Sequence, residues 1–213
     1  MKAKIFVVVM IFLIMGTIPI VTILGDYKNS VPIATENTKP TEKTKTPVNL
    51  TDDEIIKGQI YAVYDESFND DTIKSLAILF KTNFKADKNS VDLNNKDIFI
   101  STEEFKDINS SFTEINSKIT SAISTVKDTY IYHNNEIEYI PYSQCSQGFT
   151  EQDEKYPDLL QIASPWDKQS KNFSADNKCV GVSINGVIFL TQNYDYLTAL
   201  KWYLPKYEIK NTT

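Results

Sequence analysis

The stretch FTEINSKITSAISTVKDTYIYHNNEIEYIPY, residues 112–142, changes from a helical to an extended sequence pattern within one segment. Its first half places apolar residues three and four positions apart, which is the spacing of one stripe along a helix. These residues are Phe112, Ile115, Ile119, Ala122, Ile123 and Val126. Ser111, followed three residues later by Glu114, has the spacing of a capping box. The pattern predicts a helix that begins at residue 112 and buries one face.

The second half of this stretch alternates large apolar or aromatic residues on both sides of His133, Asn134 and Asn135. Asparagine tolerates the positive φ angles that tight hairpin turns require. We therefore predict a β-hairpin directly after the helix. His133 is interpreted as a solvated turn residue, because no nucleophile lies near it in the sequence; a catalytic histidine is the alternative.

Three flanking segments complete an α+β fold class without internal repeats. Ile73, Leu76, Ala77 and Phe80 recur at helical spacing and predict a helix over residues 70–84 with one buried face. Residues 180–190 are rich in β-branched side chains and predict a strand. Residues 196–204 form a short helical stripe that Pro205 ends.

Residues 5–24 read IFVVVMIFLIMGTIPIVTIL and carry no charge. About 20 apolar residues in a helix span a bilayer core. Lys2 and Lys4 precede the run and Asp26 follows it, so the N-terminus is expected in the cytoplasm and the rest outside, in a single-pass protein of the cell membrane. A cleaved signal peptide is the alternative, but the exit TILGDY lacks a small-x-small cleavage pattern.

These observations divide the chain into residues 1–25 as a transmembrane anchor, 26–50 as an extracytoplasmic linker and 51–213 as one domain. The linker carries Pro32, Pro40 and Pro47 among polar residues, so it buries too little apolar surface to fold. The remaining length suits one domain with its own core.

The negative charge of the chain argues against a nucleic-acid partner. The formal net charge is -6, and no arginine occurs. Binding of nucleic acid requires clustered positive charge, so we predict no nucleic-acid partner. One histidine and the two separated cysteines, Cys145 and Cys179, offer no metal-ligand spacing, and we predict no metal and no cofactor. The cysteines are candidates for a disulfide outside the membrane if their geometry allows it.

Four segments, in order, resemble the SpoIID/LytB domain, the peptidoglycan-acting domain of stage II sporulation protein D and of amidase-enhancer proteins. The first, EIIKGQIYAVYDESFNDDTIKSLAILFKTNF, is similar to the family's opening strand and helix, with Lys57, Gly58, Ser67, Phe68, Lys74, Ala77 and Thr82 in step. The second is the helix and hairpin of residues 112–142. Together the four segments cover most of residues 54–209.

The third and fourth segments carry the most specific part of the resemblance. SQCSQGFTEQ and YPDLLQIASPWDKQSKNF are similar to a Ser/Gly/Thr loop and an "SP-x-D" phrase, here Ser164, Pro165 and Asp167. CVGVSINGVIFLTQNYDYLTALKWYLPKYEI is similar to the closing strand and helix, with Gly181, Ser183, Gly186, Tyr203 and Pro205 among the matching positions.

The resemblance implies lytic transglycosylase chemistry, in which one carboxyl group with a raised pKa first donates and then accepts a proton. The gapless register places Val63 at the position of the family's catalytic glutamate, and valine transfers no proton. Asp65 and Glu66 lie within three residues, and a local bulge would let either one substitute. The other interpretation of both carboxylates is a solvated acidic loop before a helix.

Further departures from the family pattern affect side chains with a chemical role more than residues that shape the backbone. The zinc-binding His and Cys cluster of some members is missing from residues 83–104, and Ile184 replaces a glutamine. Four matching polar residues are candidates either to contact a glycan or to cap turns: Ser146, Thr150, Asp167 and Ser183. An aromatic stripe is a candidate either for stacking on sugars or for the core: Tyr194, Tyr196, Trp202, Tyr203 and Tyr207.

The resemblance leads to three hypotheses. The first is an anchored, sporulation-associated protein that binds peptidoglycan or a remodelling partner with a degenerate catalytic site. The second is an active lytic transglycosylase that uses Glu66 or Asp65. The third is an anchored protein that keeps an inherited fold and makes only partner contacts.

Overall fold

The computed structural model describes residues 50–212, which belong to one compact unit. Within residues 50–212, six α-helices and four short strands confirm the α+β class. The helices are α1 Asp52–Val63, α2 Asp70–Ala86, α3 Thr102–Ile108, α4 Phe112–Thr125, α5 Ile184–Leu190 and α6 Tyr196–Tyr203. The strands are β1 Thr129–Tyr132, β2 Tyr142–Ser143, β3 Val182–Ser183 and β4 Glu208–Asn211, and a 3₁₀ helix covers Pro165–Gln169.

Helix α2 lies at the centre of the domain and packs against α1, α4, α5, α6 and β1. The sequence predicted one buried face, but this prediction was wrong, because α2 is buried around most of its circumference. Its fully buried apolar residues are Ile73, Leu76, Ala77, Ile78, Leu79 and Phe80. Asn69 begins the helix by accepting a hydrogen bond from the Thr72 amide at 2.8 Å.

Four polar residues of α2, Thr72, Ser75, Thr82 and Asn83, are buried too, and they bond to neighbouring elements. The Asn83 amide donates to the Ile140 carbonyl at 2.7 Å and accepts from the Ile140 N–H at 2.8 Å. The Thr82 hydroxyl accepts from the Ile131 N–H at 3.1 Å. These bonds satisfy backbone groups that would otherwise be buried without partners. They therefore fix strand β1 and the segment before β2 against the central helix.

Helix α4 confirms the predicted stripe, since Ile115, Ile119, Ala122 and Ile123 are buried. Its predicted capping box is wrong. Ser111 has φ −94° and ψ 18°, a turn conformation in which its hydroxyl makes no cap bond. True capping boxes begin α1 at Thr51 with Glu54, and α3 at Ser101 with Glu104.

The predicted hairpin is correct at its turn and wrong in its strand pairing. Asn134 and Asn135 have φ angles of 50° and 67°, as a tight hairpin turn requires. Beyond the bridge between His133 and Glu136, however, β1 pairs antiparallel with β4, placing Ile131 opposite Ile209. Strand β2 pairs in parallel with β3.

Two other expectations for strands are corrected. Residues 180–190 contain only the two-residue strand β3, after which the Ser183 hydroxyl accepts from the Gly186 amide and begins helix α5. The opening segment, expected from the resemblance to include a strand, is helix α1. The short helix expected over 196–204 is confirmed as α6, with Leu204 as its C-cap.

The expected anchor and most of the linker lie outside the described residues. Within residues 50–212, no helix combines the length and the apolar character needed to cross a bilayer.

The substitution Asn83→Ala is expected to lower the free energy of unfolding by about 2–4 kcal/mol, because it leaves the buried N–H and C=O of Ile140 without partners. Urea unfolding followed by circular dichroism measures the loss. Asn89→Ala is the matched control, because Asn89 is exposed and its side chain bonds to nothing in the described chain. Equal stability of the two variants would contradict this account of the central helix.

Candidate ligand-binding groove

An open groove of about 280 Å³ lies where three separate parts of the chain meet. Ser67, from the loop between α1 and α2, forms one side. The 3₁₀ helix and the residue after it form the other side, and α5 with the residues that follow it forms the floor. The lining residues are Ser67, Trp166, Gln169, Ser170, Asn185, Ile188, Phe189 and Gln192. This lining is made of amide, hydroxyl and apolar groups.

The two predicted acidic candidates lie beside this groove. Asp65 is partly buried, whereas Glu66 is exposed on the loop that leads to Ser67. The Asp65 carboxylate accepts from the Lys171 ammonium at 2.7 Å and from the Ser67 amide and hydroxyl at 3.0 and 2.8 Å. Lys171 follows Ser170, so this ion pair joins the two sides of the groove.

These hydrogen bonds set the charge of Asp65. The bond from Lys171, together with those from Ser67, lowers the pKa of Asp65 from 3.8 to about 2. A general acid for glycoside cleavage needs the opposite shift, so that it still holds a proton near neutral pH. In this arrangement Asp65 is a fixed negative charge and a poor proton donor.

Val63 provides no ionisable group for proton transfer. It is the last residue of α1 and packs partly against the apolar core. The side chain at the expected catalytic position therefore contributes packing, and the nearest carboxylates follow it in the loop.

Asp167, one of the predicted glycan contacts, is fully buried beneath the groove. One of its carboxyl oxygens accepts from the Ser146 amide, the Ser146 hydroxyl and the Ser164 hydroxyl, at 2.9, 2.6 and 3.0 Å. The other oxygen accepts from the Asn185 side-chain amide at 2.8 Å. Asp167 thus positions Asn185, which lines the groove, while Asp167 itself has no contact with solvent.

The remaining predicted polar contacts are also structural. Ser146, Thr150 and Ser183 are each fully buried. Thr150 donates to the Leu160 carbonyl and accepts from the Ile162 amide, which holds the loop before the 3₁₀ helix. The sequence left two interpretations open, contact with a glycan or capping of turns. In the structure all of these side chains form internal hydrogen bonds.

Two matching glycines have geometric reasons for lacking a side chain. Gly181 has φ +79°, and a Cβ there would lie 2.2 Å from the Pro141 carbonyl oxygen. A Cβ on Gly186 would lie 1.7 Å from the Tyr203 hydroxyl oxygen. That hydroxyl is within 2.7 Å of the Ser164 hydroxyl and accepts from the Trp166 indole N–H at 3.3 Å. The glycine therefore leaves room for the network under the groove.

The predicted aromatic stripe divides between the core and the surface. Tyr203 and Tyr207 are buried, and burial raises the pKa of Tyr207 to about 12. Tyr194 and Trp202 are exposed. Trp202 lies next to Trp166, with ring centroids 5.6 Å apart.

His133 is not the solvated turn residue that the sequence predicted. It is buried and packs on the Tyr207 ring, with centroids 4.8 Å apart. Its two ring nitrogens lie 3.3 Å from a Glu138 carboxylate oxygen and 3.5 Å from one of Asp158. The tight turn places its side chain against the C-terminal segment, a contact that local sequence does not encode.

The cysteines and the acidic residues provide no further site. Cys145 and Cys179 are buried free thiols, and burial raises the pKa of Cys179 to about 12, so it is an unreactive thiol near neutral pH. Among residues 50–212, no three His, Cys, Asp or Glu side chains are grouped so that they could hold a metal ion.

Sequence reasoning missed six residues that line the groove: Gln169, Ser170, Asn185, Ile188, Phe189 and Gln192. Four of them lie on or just after α5, which was predicted as a strand. The signal was available, because Ser183 precedes buried Ile184, Val187 and Leu190 at three-residue spacing. That spacing leaves Phe189 on the exposed side of a helix.

A scan against protein-family models finds no match to the chain, and a search of curated proteins finds none either. The resemblance to the SpoIID/LytB domain therefore stays a prediction from sequence motifs.

Asp167→Ala is expected to lower the free energy of unfolding by about 3 kcal/mol or more, because it leaves several buried donors without an acceptor. Asp167→Asn keeps one oxygen for Ser146 and Ser164 and should cost less. Thermal and urea unfolding measure both. Asp176→Asn, at an exposed aspartate, is the control and should change little. If Asp167→Ala were as stable as the parent chain, the hydrogen-bond network of Asp167 would not contribute to the stability of the domain.

Lys171→Gln is expected to raise the pKa of Asp65 from about 2 toward its ordinary value, because the main hydrogen-bond donor to the carboxylate loses its charge. Carbon-13 NMR titration of the Asp65 carboxyl measures this shift. Since the folded pKa lies below the unfolded one, the pair stabilises the fold above about pH 4, and this contribution disappears as the pH falls through about 2. Lys178→Gln, at another exposed lysine, should leave the titration unchanged.

Proposed function

We propose that this chain is a membrane-anchored, SpoIID-like protein of the cell envelope that binds peptidoglycan or a peptidoglycan-remodelling partner and has little or no catalytic activity. Its ligand is the glycan strand or a protein that remodels peptidoglycan, and sporulation is the process that the resemblance suggests. The N-terminal apolar run would hold the domain at the membrane, on its outer side.

The observation that carries this proposal is the meeting of three family-like segments at one groove. Ser67 belongs to the first segment, Trp166 to the third and Asn185 to the fourth. These segments are far apart in the sequence. Some of the positions at which they resemble the family have a structural reason: Gly181 and Gly186 leave no room for a side chain, and Asp167 holds a buried hydrogen-bond network. A shared groove is what a common ancestral binding site would leave.

The composition of the groove supports binding over cleavage. Its lining side chains are uncharged, and the Asp65 carboxylate beside it is held in an ion pair. Cleavage of a glycosidic bond requires a protonated carboxyl group at the leaving oxygen. Valine at position 63 and an ionised Asp65 do not provide this proton.

The alternative is an active lytic transglycosylase, and the position of Glu66 is the observation that favours it. Glu66 is exposed and immediately precedes Ser67 on the rim of the groove. A strand lying in the groove would bring a glycosidic oxygen near this loop. In that case Glu66 would act first as the acid and then as the base.

Sedimentation of the purified full-length chain with peptidoglycan sacculi tests the proposal. We expect the protein to pellet with the sacculi, and we expect mass spectrometry of denuded glycan strands to show no anhydro-ended products after incubation. Albumin in the same detergent controls for trapping in the pellet.

Other results of this experiment would change the proposal in defined ways. Anhydro-ended products that disappear in Glu66→Gln but persist in Glu103→Gln, an exposed glutamate on α3, would establish the enzyme alternative. Failure to pellet with sacculi would favour the third hypothesis, in which an inherited fold makes only protein contacts.

A further inference from the structure

Three aromatic side chains form a cluster that extends from the groove to the open surface. The Trp166 ring stacks on Phe189, with centroids 4.9 Å apart and planes 9° from parallel, and Trp202 packs on Trp166 at an angle of 54°. Phe189 and Trp202 are 47% and 45% exposed. We call Trp166, Phe189 and Trp202 the aromatic platform.

Hydrogen bonds hold the platform in position. The Trp166 indole N–H donates to the buried Tyr203 hydroxyl, and the Trp202 indole N–H donates to the Ala163 carbonyl at 3.0 Å. Both indoles are therefore fixed at their polar edges while much of the platform stays in water. A rigid aromatic surface loses little conformational freedom when it binds a ligand.

The platform is continuous with the polar part of the groove, because Trp166 and Phe189 line both. Next to them lie the side-chain amides of Gln169, Asn185 and Gln192. An amide both donates and accepts hydrogen bonds, which suits hydroxyl and acetamido groups. The lining contains no charged side chain, so it offers no counter-charge to a phosphate or an acidic peptide.

We infer that the aromatic platform is a saccharide-binding surface, on which a neutral, N-acetylated sugar ring stacks while the next sugar along the chain enters the groove. The apolar C–H face of the ring covers Phe189 or Trp202, and its polar edge reaches Asn185 and Gln169. Aromatic rings combine apolar contact area with little ordering cost, and polar groups beside them fix orientation. This inference rests on the proposed function, because it names the residues and ligand chemistry of the same groove.

The composition of the chain provides a direct readout. Its two tryptophans, Trp166 and Trp202, both belong to the platform. Tryptophan fluorescence therefore reports only on this surface. We would titrate the full-length chain, in a detergent without a sugar headgroup, with the β-1,4-linked tetramer of N-acetylglucosamine.

The tetramer is expected to change the tryptophan emission in a saturable way. Phe189→Ala keeps both tryptophans and is expected to weaken binding at least tenfold, and Trp202→Ala is expected to weaken sedimentation with sacculi by a similar factor. Ile108→Ala is the matched control, because Ile108 is another large apolar residue, 72% exposed on α3, and it should bind as the parent does. Both platform variants should fold normally, since neither residue belongs to the buried core, and circular dichroism checks this.

The possible results separate this inference from the proposed function. If the parent chain pellets with sacculi and both platform variants pellet equally well, the platform is not the binding surface, whereas the proposed function stands. If the platform variants pellet less well but the tetramer leaves the emission unchanged, the ligand is not the sugar chain and the inference is overturned. Emission that changes only with protein concentration would assign the platform to self-association, and it would also overturn the inference. If the parent chain does not pellet with sacculi and the tetramer leaves its emission unchanged, this inference is overturned and binding of the glycan strand is excluded, which favours the third hypothesis of protein contacts alone.

Discussion

The burial of helix α2 is the constraint on which the rest of the domain depends. A helix buried around most of its circumference must find partners for the polar side chains on its buried faces, because water does not reach them. Asn83 meets this requirement by bonding both backbone groups of Ile140, and Thr82 by bonding the amide of Ile131. At the other end the Thr72 hydroxyl lies 2.6 Å from that of Thr191, directly after α5. The same helix therefore orders β1, the segment before β2 and the end of the groove floor.

The groove inherits its geometry from a second buried network, centred on Asp167. Its carboxyl group gathers the loop at Ser146, the 3₁₀ helix through Ser164 and the groove floor through Asn185. Gly186 allows the Tyr203 ring to approach this network closely enough to bond Ser164. The sequence singled out Ser146, Thr150, Asp167 and Ser183 as candidate ligand contacts, but all four are buried beneath the surface. They determine where the groove's amides and aromatic rings are placed, and a ligand would meet only those outer groups.

The electrostatics beside the groove determine whether Asp65 could act as a general acid. A catalytic carboxyl group must be able to hold a proton, which requires burial or a neighbouring negative charge. Asp65 instead accepts hydrogen bonds from a lysine and a serine, and these favour its ionised form. The ion pair also connects the acidic loop to the segment after the 3₁₀ helix. This arrangement holds the two segments together beside a groove whose lining side chains are uncharged.

The sequence by itself determined those features that are encoded within a few residues. Helical periodicity located α2, α4 and α6, and the asparagines at 134 and 135 located a tight turn through their tolerance of positive φ. The tertiary structure decided which strands pair and which residues are buried. Strand β1 meets β4 rather than its neighbour in sequence, and His133 packs on Tyr207. A short apolar run such as residues 184–190 fits either a strand or a buried helix, and here the Ser183 cap and the contact with Tyr203 select the helix. Backbone preference is local, whereas pairing and burial depend on contacts between residues far apart in the chain, and for that reason only the folded domain brings the groove together.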